Sequence, residues 1–410
     1  MDDDASAAEL RNAMTDWLLR NDMIRTPQVE AAIRRVPRHV FVPRASAEEA
    51  YGHDSVVTRR DEAGIAISSA SGPGIVAAML EQLDVHPGHR VLEIGAGTGY
   101  NAALLAHLAG PRGQVTTIDL DEDIVAEARG HLGAAGYGGV TVVRGDGAAG
   151  CPGNAPYDRI VVTAGAWDLP PAWREQLASD GRLVVPLRMR GFTRAVAFDR
   201  DGDVLRGRSM FECGFMPMRG PGVMAERNIT IRAGQDRAVI LRIDDGKPAD
   251  EAALGDALTA QPLVTWTGVT VPPGEFEHMD FWLAGLDGFC RVLLLDGARA
   301  YGLPEPAYSY GSMGAFERGT FAYLTRRDAG HGDGPAARPM QELGVCACGP
   351  SGESLAGQVT ARLRAWSRDL PSVTRLSIDA HPAGAAPGTD GTILVIKKHY
   401  TELHAYVSAA

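Results

Sequence analysis

An apolar run ending in three glycines two residues apart, Val91-Leu-Glu-Ile-Gly95-Ala-Gly97-Thr-Gly99-Tyr100, constrains this chain more than any other segment. Its apolar part reads as a buried strand, and Asn101–Leu108 beyond the glycines reads as a helix. Glycine at such a junction admits positive φ and removes side chains, so the backbone at a helix start can touch a ligand. The same texture recurs on both sides. Helix-like Ile75–Leu83 leads into strand Arg90–Ile94. Strand Gln114–Ile118, helix Asp121–Leu132, strands Val140–Arg144 and Arg159–Thr163, short helix Trp173–Leu177 and strand Arg182–Pro186 follow. This alternation predicts an α/β, Rossmann-like fold with a mostly parallel sheet and helices on both faces. A ligand is then expected at the carboxyl ends of the first strands, where strand order reverses.

The glycine spacing narrows the ligand. It is GxGxG, and Tyr100 stands where a dinucleotide GxGxxG pattern would need glycine. That points away from a pyrophosphate and towards a nucleoside with a charged amino-acid tail, whose ammonium Glu93 can help orient. Asp119 ends the next strand, in Thr116-Thr-Ile-Asp119, where a carboxylate accepts from two ribose hydroxyls. Asp146, in Arg144-Gly-Asp146-Gly147, ends the third and can accept from an exocyclic adenine amine. Three consecutive strand ends thus match the tail, ribose and adenine of S-adenosylmethionine, the expected cofactor. Ala96, Leu120 and Gly147 belong to the same expected surface. Turn glycines and loop aspartates occur in any α/β protein, which accounts for Gly95 alone but poorly for the ordered set.

Before this region, Leu10, Met14, Trp17 and Leu18 share one helical face, and Thr26-Pro27 offers an N-cap with proline at the first helical position. Val29, Ile33 and Val36 continue the apolar stripe to Pro37. A boundary is expected near residues 219–227, giving a catalytic unit over 1–222 and an α+β unit over 223–410. The latter shows strands at Ala238–Ile243, Leu263–Thr270, Arg291–Leu295, Phe321–Leu324, Val373–Ile378 and Thr392–Ile396. Its one clear helix carries Leu355, Val359, Leu363, Trp366 and Leu370. Residues 328–340 read as a loop, and Asp244-Asp245-Gly246 reads as a hairpin turn.

With 40 basic against 51 acidic residues the chain carries a net charge of −11, the wrong sign for gripping nucleic acid. No run approaches about 18 uncharged apolar residues, and the acidic start lacks a signal-like apolar core, so a soluble cytoplasmic protein is expected. Cys151, Cys213, Cys290, Cys346 and Cys348 are odd in number, and the Cys346-Ala-Cys348 pair has no zinc-completing partner, so structural thiols are expected. Trp266, Trp282, Tyr308 and Tyr310 are either core or a peptide-binding surface. His399 and His404 sit at a poor metal spacing.

Over residues 9–220 the sequence resembles the protein-L-isoaspartate O-methyltransferases. The resemblance rests on Arg35-Val-Pro-Arg-His-Val-Phe-Val-Pro43, Ile67–Met79, Val91–Tyr100, Gly145-Asp-Gly147 and Tyr157-Asp-Arg-Ile160. It implies methyl transfer from S-adenosylmethionine to a peptide carboxyl group. The family's IS-x-P segment, with a hydroxyl near the transferred methyl, best matches Ser71-Gly-Pro73, which makes Ser71 the expected catalytic residue. Ser68 and Ser69 are alternatives, and a helix N-cap is a competing role for Ser71. With its extra half, the sequence resembles the long form encoded beside ribosomally made, post-translationally modified peptides such as lanthipeptides, graspetides and lasso peptides. The shared runs are Val91–Asn101, Trp167-Asp-Leu-Pro-Pro-Ala-Trp173 and Cys213–Gly220. That likeness implies methylation of an aspartate side chain in a cyclised peptide, giving aspartimide and then isoaspartate. Residues 228–410 would help recognise the peptide. Isoaspartate repair is the alternative, and a binding protein that has lost catalysis is disfavoured by the intact glycine loop.

Overall fold

A computed structural model describes residues 2–62, 64, 66–220, 226–233, 236–244, 246–274, 276, 278–308, 311–331, 338–369, 375–384 and 391–408. The chain opens with α1 (Asp2–Arg20), α2 (Pro27–Arg35) and α3 (Ala47–Ala50), then an antiparallel ribbon of β1 (Val56–Arg60) and β2 (Ala66–Ala70). The alternating region reads α4 (Pro73–Leu83), β3 (Arg90–Ile94), α5 (Tyr100–Ala109), β4 (Gln114–Asp119), α6 (Glu122–Ala134), β5 (Thr141–Arg144), β6 (Tyr157–Val162), α7 (Pro171–Gln176) and β7 (Leu177–Met189). Long strands β8 (Phe192–Asp201) and β9 (Val204–Glu212) follow. The remainder comprises β10 (Arg227–Ala233), β11 (Asp236–Ile243), α8 (Glu251–Ala257), β12 (Leu263–Val271), α9 (Met279–Leu283), β13 (Phe289–Leu294), β14 (Ser312–Glu317), β15 (Thr320–His331) and β16 (Pro339–Cys348). It ends with α10 (Gly352–Asp369), β17 (Arg375–Pro382), β18 (Thr392–Lys397) and β19 (Thr401–Ser408).

Local signals set the first helices. The Thr26 hydroxyl accepts from Val29 N and Pro27 takes the first position of α2, while Val29, Ala32 and Ile33 turn inward. Met14 and Leu18 of α1 are fully buried against them.

The main sheet has the order β18-β19-β17-β9-β8-β7-β6-β3-β4-β5. Only β5-β4-β3-β6-β7 are parallel; the other half is antiparallel. Strand order reverses at β3, which has β4 on one side and β6 on the other, as the alternation predicts. Alternate residues on these strands serve two faces. Val91, Val115, Val161 and Val184 pack with the N-terminal helices, whereas Leu92, Ile94, Ile160, Leu183 and Val185 face a second apolar core.

That second core runs on without a break through Phe281, Leu343, Leu355, Trp366 and Leu403. The expected division at 222/223 therefore does not separate two sheets. The second sheet, β10-β11-β13-β14-β15-β16-β12, is built from the later half, but β17–β19 return to lengthen the first through Asp379 and Ala380 against β9. Two other expectations are corrected. Residues 328–331 and 339–340 lie in β15 and β16 rather than a loop, with 332–337 outside the described residues. Asp244 accepts a hydrogen bond from Gly191 N at 2.9 Å and the chain proceeds to α8, so no hairpin forms there; Asp245 lies outside the described residues. Among the described residues no helix is long and apolar enough to cross a membrane.

The shared core makes a direct prediction. A fragment of residues 1–222 leaves the β9 edge unpaired and bares Val196, Phe198 and Leu205, which the later half covers. It is expected to aggregate under conditions in which the full chain is monodisperse, as read by light scattering after size-exclusion chromatography.

Candidate active site

A cleft of about 580 Å³ opens at the carboxyl ends of β3, β4 and β6, where strand order reverses, a size typical of small-molecule sites. Thr163, just past β6, stitches the neighbouring strand end in place. Its backbone N–H donates to Ile94 O at 2.9 Å and its hydroxyl donates to Gly95 O at 2.7 Å. Gly95 has φ of 102°, and a Cβ there would lie 2.6 Å from the Thr163 hydroxyl oxygen, so both conformation and space demand glycine. Gly97, at φ 51°, faces the cleft: a Cβ there would meet only Ser69 O, at 3.9 Å. Gly99 caps the start of α5, and Ala96 N donates to Ile118 O at 3.1 Å.

Glu93 lies beneath the loop, fully buried. Its two carboxyl oxygens accept from Asn101 Nδ2 at 2.8 Å and from the Thr117 hydroxyl at 2.6 Å. Burial pushes this carboxyl up to about 7, against the pull of those two donors. Asp119 accepts from Gly97 N at 3.1 Å, which ties the end of β4 to the glycine loop. Leu120 is 37% exposed and lines the cleft beside it, an uncovered apolar surface next to a carboxylate. Asp146 stands back from the lining. It caps Ala148 N at 2.9 Å through Oδ1, and Gly220 packs over its carboxylate, while Gly147 reaches the cleft with its carbonyl fixed by the Trp173 indole at 2.8 Å.

Ser68, Ser69 and Ser71 all line the cleft across from Gly97. Ser68 Oγ accepts from the Thr58 hydroxyl at 3.1 Å. Ser71 is not the N-cap of α4: that position is Gly72, with no side-chain hydrogen bond, so the capping role is not the one Ser71 fills. The segment is held from below by Arg38, a residue the sequence reading used only as part of a family run. Arg38 is fully buried, donating from Nε to Ala50 O at 2.7 Å and from Nη2 to Ser71 O at 2.9 Å, over the Tyr100 ring. Burial pulls its pKa below the usual guanidinium value, and Nη1 has no partner among the described residues. The one available signal was an arginine inside the largely apolar Val-Pro-Arg-His-Val-Phe run.

Phe215–Arg219 form the opposite wall, another group the sequence reading left without a role. Gly165 N donates to Met216 O at 2.7 Å and Met218 N to Gly165 O at 2.9 Å, while Arg219 pairs with Asp121 across the Asp119–Leu120 turn. The remaining candidates lie elsewhere. Trp282 is core and donates to Asp369, Tyr308 packs at a tilt against Phe276, and Trp266 lies under Arg327, while Tyr310 is outside the described residues. His404 is buried beside His381, and no metal-binding cluster occurs among the described residues. Cys290, Cys346 and Cys348 are buried thiols.

Two predictions follow from this geometry. Gly95→Ala forces a side chain into positive φ and against Thr163, so stability should fall by more than about 1 kcal/mol with loss of cofactor binding; urea melts and calorimetry read both. Glu93 holds its proton to a higher pH when folded than the 4.5 of a free carboxyl. Its contribution to stability is therefore fully present below that value and is lost as pH rises through about 7. Wild type should lose up to about 3 kcal/mol over this window that Glu93→Gln retains, measured by urea unfolding at each pH.

A model of the protein-L-isoaspartate(D-aspartate) O-methyltransferase (PCMT) family matches residues 9–221. A protein-L-isoaspartate O-methyltransferase of Methanoregula boonei is 41% identical over 210 residues, covering 51% of this chain and 93% of that protein. One from Methanopyrus kandleri is 38% identical over 222 residues, covering 53% and 95%. A solved beta-aspartate methyltransferase (PCMT) from Plasmodium falciparum, in complex with S-adenosyl-L-homocysteine, is 18% identical at a TM-score of 0.45, covering 50% of this chain and 97% of that one. With the glycine loop, the switch-point cleft and the facing serines in one continuous match, the chain belongs to the protein-L-isoaspartate O-methyltransferase family of S-adenosylmethionine-dependent enzymes.

Proposed function

We propose that the chain transfers the methyl group of S-adenosylmethionine to the carboxylate of an isoaspartyl residue in a peptide held at the serine side of the cleft. The observation that carries this reading is the Ser68–Gly72 segment facing Gly97, with a buried guanidinium behind Ser71. Bound in the cleft, S-adenosylmethionine supplies a methyl group on a sulfonium, an electrophile with a good leaving group. The residues present fit it: an open cradle at Gly97, a carboxylate at Asp119, an apolar face at Leu120 and a buried carboxyl at Glu93. In this reading Glu93 favours the ammonium of the tail and Asp119 accepts from the ribose. Gly147 sits at the adenine, with Asp146 behind it holding the turn through Ala148 N rather than reaching the exocyclic amine.

The acceptor carboxylate is ionised at neutral pH, so no base is required. Ser71 donates a hydrogen bond that orients it, and Arg38 supplies positive potential without touching it. The site then has to align the acceptor oxygen with the methyl and exclude water. The peptide leaves as a methyl ester, from which a backbone nitrogen displaces methanol to close a succinimide.

One observation favours a second reading, methylation of an ordinary aspartate in a cyclised ribosomal peptide. The later half is built onto the catalytic sheet, and its Lys398–Thr401 stretch touches the loop after β6, so it is placed to bear on substrate choice. Mass spectrometry with a generic isoaspartyl peptide and with the modified precursor encoded nearest the gene, linear and cyclised, separates the two. Gain of one methyl on the isoaspartyl peptide is the expected result. Methylation of the cyclised precursor alone would replace it with the second reading. Ser71→Ala should lower kcat by about tenfold to a hundredfold, and Asp119→Ala should weaken cofactor binding by about 1.5–3 kcal/mol in calorimetry.

A further inference from the structure

The cleft wall opposite the serines is made of two paired stretches, Thr163–Gly165 and Phe215–Arg219. The next residue, Ala166, exchanges hydrogen bonds with β7: its N–H donates to Pro186 O and its carbonyl accepts from Arg188 N, both at 2.8 Å. Beyond it, Trp167 and Asp168 are held from a distant part of the chain. The Lys398 amine, at the end of a half-buried side chain in the β18–β19 turn, donates to the carbonyl oxygens of Trp167 and Arg188, the latter at 2.6 Å. The Asp168 carboxylate accepts from Tyr400 N and from the Thr401 hydroxyl, each at 2.6 Å. Arg188 lies 4.5 Å over the Trp167 ring and pairs with Glu226, which pairs with Arg242 of β11 at 2.7 Å.

We propose that Lys398 and Asp168 are positioning residues for methyl transfer, clamping the loop after β6 so that it and Met216–Met218 hold the far wall of the cofactor cleft in place. A buried amine is a costly way to fill space, since removing a charge from water is opposed unless hydrogen bonds replace the lost hydration. A methionine of similar length would pack there more cheaply. What the amine alone provides is a donor to two carbonyls on two different stretches of chain. These are the loop after β6 and the end of β7, which the rest of the wall leans on. The clamp also explains why β18 and β19 return to the first sheet.

This inference rests on the cleft being the cofactor site proposed above. Its probe is S-adenosylhomocysteine, whose binding does not depend on which carboxyl group is methylated. Lys398→Met and Thr401→Val are compared with Thr26→Ala, which loses a helix cap away from the cleft. In calorimetry the Lys398→Met dissociation constant should rise about tenfold or more, as for a lost charged hydrogen bond, and Thr401→Val should rise several-fold. Thr26→Ala should lower the melting temperature without moving the constant. Folded Lys398→Met or Thr401→Val that binds within about twofold of wild type overturns the clamp. Because Thr401→Val removes a single hydroxyl, it keeps the test open if Lys398→Met does not fold. A wild-type chain that binds no S-adenosylhomocysteine overturns the cofactor reading itself, so the two failures are told apart.

Discussion

The Thr163 hydroxyl bonded to the Gly95 carbonyl is the contact on which the site depends. It joins the carboxyl ends of β3 and β6, the two strands between which the order of the sheet reverses. On one side it fixes the glycine loop, whose Gly97 amide in turn holds Asp119 at the end of β4. On the other, two residues further along, Gly165 pairs with Met216 and Met218. Three walls of the cleft are thus referred to one hydroxyl. The cleft exists because parallel strands leave their neighbours' connections going opposite ways at this point.

Beneath that frame the protein places ionisable groups where water does not reach. Glu93 and Arg38 are both fully buried, and burial opposes the charge of each. Neither position is explained by packing alone, since an apolar side chain would fill the same volume at lower cost. Their value lies in a ready-made field: a carboxyl beneath the glycine loop, and a guanidinium behind the serine segment that lines the cleft. Such preorganisation is inexpensive at the moment of reaction because the groups are already oriented by Asn101, Thr117, Ala50 and Ser71.

The later half is less separable than a linear reading of the chain implies. Texture changes after Gly220, and a distinct antiparallel sheet does begin there, yet β17–β19 pair back onto β9 and the apolar core is continuous from Leu92 to Leu403. A strand that returns across some 170 residues leaves no local mark, because period-two alternation reports which face is buried and not which strand lies beside it. The same blindness explains residues 328–331, where Asp328, Ala329, Gly330 and His331 form exposed strand supported by the ladder with β16.

The sequence by itself determined the alternating strands and helices, the glycine loop at a strand end, and the carboxylates at the next two strand ends. Each of these follows from local spacing: apolar period, positive-φ residues, and polar residues where a strand must stop. Tertiary structure alone decided that the Ser68–Ser71 segment lines the cleft with Gly97, that Arg38 lies behind Ser71, and that Phe215–Arg219 and Lys398 complete the far wall. Those residues come from separate elements, and their chemistry acquires meaning only once β6 sits beside β3 and the last two strands close over the loop that follows. Spacing along a chain records the local periods that hydrogen bonding imposes. It carries no record of which distant carbonyl a buried amine will satisfy.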